Sequence, residues 1–129
     1  MRILDRVKPW DGKVNFVDEN NVILGFDTSD DCCAHGGWFI GPTPDWVPDK
    51  EGYEWDKEPK GIVDLAGFLF DPSYFSSPKC TDAATAQFRI TNGMEERFIT
   101  LYNVHNGYYG KGFEFTCPAD PSKNMEEYI

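Results

Sequence analysis

From residue 86 to residue 117 the chain alternates apolar and polar positions in short blocks, and two Asn-Gly pairs punctuate them. Phe88 and Ile90 share one face by the two-residue period of a strand. Asn92-Gly93 interrupts the pattern. Phe98, Tyr102 and Val104 then share one face of the next block, with Ile99 and Leu101 on the other. Asn106-Gly107 interrupts again, ahead of Phe113 and Phe115. Asn-Gly accepts the positive φ angles of tight hairpin turns. The pattern therefore predicts a three-stranded antiparallel meander over 86–92, 96–104 and 109–117. Apolar side chains on both faces of the middle block predict a central strand covered on both sides.

The first half predicts a second hairpin. Val14 and Phe16 alternate, Glu19-Asn20-Asn21 turns, and Val22, Leu24 and Phe26 resume on one face. Trp38-Phe39-Ile40 marks a further short strand. Residues 41–61 carry four prolines and several charges. Proline removes ladder donors, so this stretch is expected to be a loop or an edge excursion. Its aromatics Trp46, Tyr53 and Trp55 are expected to fold back on the sheet, with a ligand platform as the sharper alternative. In residues 61–75 the length suits a short helix, whereas Phe68 and Phe70 suit a strand. Asp71-Pro72 ends the element either way. The tail from Pro118 frames one more turn of helix. No repeat or linker divides the chain. The expected fold is a single α+β domain over residues 1–129, dominated by antiparallel sheet, with five or six strands and one or two short helices.

Composition narrows the partners. Hydrophobic residues make up 40% and aromatics 16% of 129 residues, enough for a packed core. Twelve Lys and Arg against 22 Asp and Glu give a formal charge of -10. A nucleic-acid binder needs a basic face to displace counterions from phosphates, and an anionic membrane needs the same. The sequence offers none, so neither partner is expected. The acidity would suit a basic protein partner, and it also confers solubility. The N-terminus has no apolar run of signal length, and no stretch approaches the roughly 20 residues of a membrane helix. A cytoplasmic protein with its four cysteines reduced is expected.

Residues 30–37, Asp-Asp-Cys-Cys-Ala-His-Gly-Gly, hold the densest candidate chemistry. A cysteine nucleophile needs a thiolate, a base and a group orienting that base. Cys32 or Cys33, His35 or His105, and Asp30, Asp31 or Asn106 would supply them. Asp30 and Asp31 oppose a neighbouring thiolate, however, because like charges raise its pKa. Zinc favours four Cys/His ligands in close pairs. Here Cys80, His105 and Cys117 stand isolated, and Cys32 and Cys33 point to opposite faces of a strand. Cys33, His35 and His105 are the one set geometrically conceivable. The plainer reading packs one cysteine in the core and uses Gly36-Gly37 for a bend or bulge. His105 and Asn106 then make turn contacts, and Tyr108 and Tyr109 lie on opposite faces of the last strand. No metal, cofactor or confident catalytic set is assigned. The candidate binding residues are Asp31, His35, Asn106, Tyr108, Tyr109, Trp46 and Trp55.

"DCCAHGGWFI", "GFLFDPSYF" and "LYNVHNGYYGKGFEF" in this order resemble a family of small bacterial and phage-associated proteins of unknown function. Its members pair an early Asp-Cys-Cys segment with a late Asn-Gly-Tyr-Tyr hairpin. The likeness runs from about Lys13 to Phe115, and residues 41–60 form an insertion that shorter members lack. The resemblance implies one domain in which the two motifs lie close together, and it brings no activity. The expected function is a small soluble accessory or binding module, without catalysis, acting through a concave surface or a sheet edge. The alternative is a hydrolase-like enzyme or metal-binding protein built on Cys33, His35 and His105.

Overall fold

The computed structural model describes residues 1–6, 12–29, 34–48, 61, 63–78, 83–105 and 110–129, with only the backbone of His105. They form nine strands in two antiparallel sheets. The strands are β1 (Arg2–Arg6), β2 (Lys13–Val17), β3 (Ile23–Asp27), β4 (Ala34–Gly41), β5 (Leu69–Phe70), β6 (Ala84–Thr91), β7 (Glu96–His105), β8 (Gly112–Thr116) and β9 (Met125–Tyr128). One sheet has the order β1-β2-β3-β8-β9 and the other β4-β7-β6-β5.

The two sheets close on one core. Strand alternation places Val14, Phe16, Leu24, Phe26, Phe113 and Phe115 on the inner face of the five-stranded sheet. Trp38, Ile40, Ala86, Phe88, Ile99 and Leu101 face them from the four-stranded sheet. Aromatic rings interlock across the gap: Phe16 meets Trp38 edge-on at 5.2 Å, and Phe88 meets Phe113 at 5.7 Å and Phe115 at 5.4 Å. Each such buried side chain contributes roughly 1.5–3 kcal/mol through removal from water. Polar bonds also tie the sheets. The buried carboxylate of Asp18 accepts from the backbone N–H of Asn20 and Val22 in the β2–β3 turn, and from Phe70 N–H of β5 at 2.9 Å.

Two of the three expected hairpins form. β2 pairs β3, with Asn21 at φ 59° in the turn. β6 pairs β7 around Asn92-Gly93, where Gly93 has φ 90° and Asn92 Oδ1 accepts from the N–H of Met94 and Glu95. The middle strand β7 is covered on both sides as expected: Ile99 and Leu101 are buried on one face, Phe98 and Tyr102 on the other.

The C-terminal meander does not form. β8 pairs with β3 and β9 in the other sheet, and β7 takes β4 as its second neighbour. A strand has two edges, and the eight-residue ladder from Ala34↔His105 to Gly41↔Phe98 occupies the one left by β6. The turn expected at Asn106-Gly107 lies outside the described residues. Among the described residues nine strands replace the five or six expected, because β1, β5 and β9 carry weak or no alternation. Of the one or two short helices expected, the described residues hold only the last turn in the tail, and it is 3-10. Among the described residues the helical content is one 3-10 turn, Pro121–Lys123, capped by Asp120. Residues 61–75 resolve in favour of the strand, with Leu69–Phe70 ending before Asp71. No helix among the described residues is long and apolar enough to cross a membrane.

Candidate functional site

Two places carry sequence candidates. The first is the outer face of the four-stranded sheet. Here the ladder aligns Phe39 of β4, Thr100 of β7 and Gln87 of β6 in one row. The next row is Gly37, Tyr102 and Thr85. Phe39 stacks on Tyr102 at 6.0 Å, and Trp46 from the loop after β4 leans on Phe39 at 5.6 Å and 61°. The missing side chain at Gly41 admits the tryptophan: a Cβ there would stand 2.7 Å from its ring.

Hydrogen bonds hold this loop rather than packing alone. Gln87 is buried, and its Nε2 donates to Pro44 O at 2.8 Å and Thr100 Oγ1 at 3.1 Å. Its Oε1 accepts from Tyr74 O–H at 2.7 Å. Its backbone exchanges two bonds with Ser76, which continues the sheet past β5. Thr85 donates to Pro78 O. Thr43 O–H donates to Asp45 Oδ1 at 2.7 Å and Trp46 N–H to Thr43 O at 3.3 Å, fixing the turn that carries both residues. Between loop and sheet lies a cavity of about 320 Å³, with Phe39, Pro44, Trp46, Val47 and Pro78 as walls and Thr85, Gln87 and Thr100 as floor. That size and mixture of apolar wall and few polar groups is typical of small-ligand sites.

The second place is the corner where β4 begins and β7 ends. Ala34, which follows Cys33, lies opposite His105, which precedes Asn106. The two distinctive motifs thus join the sheet side by side. Buried Asn103 donates to Ile129 O at 2.9 Å, and the fully buried Lys111 donates from Nζ to Ser29 O. Gly36-Gly37 is not a bend or bulge, since the ladder runs through both residues in register. Their role is space: a Cβ at Gly36 would collide with the Lys111 stem, and one at Gly37 with the Tyr102 ring.

Of the sequence candidates, Trp46 is half-buried in the cavity wall and folds back on the sheet as expected. His35 is exposed on β4, opposite Val104. The backbone of His105 ends β7. Asp31, Cys32, Cys33, Trp55, Asn106, Tyr108 and Tyr109 lie outside the described residues, and β8 starts only at Gly112. The described residues hold no group of three or more His, Cys, Asp or Glu placed for a metal. The sequence reading passed over Thr85, Gln87 and Thr100. Thr85 and Gln87 are polar alternates of β6, a pattern that reads as a solvent face until something covers it, and Thr100 is the polar position on a face of β7 that is otherwise apolar. Lys111 was also passed over, since a buried lysine has no sequence signature.

No family model matches the chain, and neither a curated protein nor a solved structure matches it.

Proposed function

We propose that this protein is a small non-catalytic binding module whose ligand seats in the cavity between Trp46 and the outer face of β6 and β7. The observation that carries the reading is the Gln87 network: it fixes a loop over a sheet face while leaving about 320 Å³ beside an indole ring. A site held open by internal bonds needs little ordering when a ligand arrives, which favours affinity. Saturation-transfer NMR with a library of small aromatic and aliphatic fragments tests it. Fragments should receive signal from the native protein and lose it with Trp46→Ala. Unchanged transfer in the variant, or no fragment bound, would refute the reading.

A cysteine–histidine site is the second reading, supported by the Ala34↔His105 pair that brings the two motifs to one corner. Thiol labelling separates the two. An ordinary thiol labels slowly and accelerates only above about pH 8. Rapid labelling near pH 6, abolished by His105→Ala, would reverse the order of the two readings, because a low-pKa thiolate needs such a partner.

A further inference from the structure

We infer that the ligand of the Trp46 cavity carries an alkylated ammonium or a similar organic cation, an inference that rests on the binding role proposed above. Charge is the first observation. Asp45 carries the one formal charge among the described lining residues, and it stands exposed beside Trp46. One of its carboxylate oxygens is held by Thr43, which fixes the group at the rim. The net charge of -10 adds a field that concentrates cations and repels anions.

The second observation is the state of the floor. Gln87 spends its amide N–H groups on Pro44 and Thr100, and Thr85 donates its hydroxyl proton to Pro78. Thr100 accepts from Gln87 through Oγ1, so an anion, or a ligand recognised through its acceptors, finds few donors left on this floor. An alkylated ammonium asks for no such donors. Its charge is accommodated by the electron-rich face of an indole and by a nearby carboxylate, and its methyl groups by apolar walls. Trp46, Asp45, Phe39 and Val47 place an indole ring, a carboxylate and apolar wall in the lining of one cavity.

NMR titration with three probes of similar size tests the inference: choline, its neutral carbon isostere neohexanol, and the anion pivalate. The readout is the Trp46 indole resonance, assigned through Trp46→Phe. Choline should bind about threefold to thirtyfold tighter than neohexanol, the range expected for a cation over an indole, with pivalate weakest. Asp45→Asn should narrow the choline-to-neohexanol ratio towards one. Neohexanol binding as tightly as choline would overturn the cationic class while leaving the cavity as a site for neutral ligands. Pivalate binding tightest would overturn the charge argument. No shift with any probe would overturn both this inference and the binding role beneath it.

Discussion

On the inner face of the four-stranded sheet, Ile40, Ile99 and Phe88 form one row across β4, β7 and β6. One residue along the same strands, Phe39, Thr100 and Gln87 form the corresponding row on the outer face. All six are buried. The inner row is closed by a second sheet, a continuous surface that lies about 10 Å away and fills the gap with side chains. The outer row is closed by a proline-rich loop, and a loop meets a sheet at a few points only. The carbonyl of Pro44 takes its donor from Gln87, and the volume beside that contact stays open. Burial by a sheet makes a core; burial by a hydrogen-bonded loop makes a cavity.

Substitutions in the two rows should separate these modes. Phe88→Ala removes a ring touching Phe75, Phe113 and Phe115, and it should cost about 3–5 kcal/mol in denaturant unfolding. A loss below about 1 kcal/mol would mean that the inner row is not the packed core described here. Gln87→Ala leaves Pro44 O without its donor and should cost about 1–3 kcal/mol. Amide exchange at residues 43–47 should accelerate with it, while exchange in β2 and β3 should not. Uniform acceleration across both sheets would contradict a network confined to the outer face. Thr100→Val keeps the shape and removes one acceptor of Gln87, so about 0.5–1.5 kcal/mol is expected, again from unfolding curves. A cost matching that of Phe88→Ala would erase the distinction between the rows.

The inner row was the legible one. Phe88, Ile90, Ile99, Leu101 and Leu24 announce themselves by two-residue alternation, and the hairpins β2–β3 and β6–β7 follow from local turn chemistry. What the alternation does not carry is which distant strand becomes a neighbour. Phe113 and Phe115 lie in a strand as expected, yet nothing local distinguishes β7 from β3 as the partner of β8. The outer row was less legible for a related reason. Phe98, Tyr102 and Val104 already predict cover over the face that Thr100 shares, but Thr85 and Gln87 on β6 look like solvent positions, and what covers them comes from distant Pro44 and Trp46 and from Pro78. Trp46 was visible as an aromatic in a loop that must fold back; the cavity beside it depends on contacts spanning 43 residues, from Pro44 to Gln87.

The most direct test of a binding cavity on the outer face is a nitrogen–proton correlation map of the native protein, titrated with any fragment that shows saturation transfer. The account predicts shifts confined to the Trp46 indole, the Gln87 side-chain amide and the backbone of Thr85 and Thr100. Shifts centred instead on Ala34, Asn103 and Lys111 would contradict it, and would move the site to the corner where the two motifs meet.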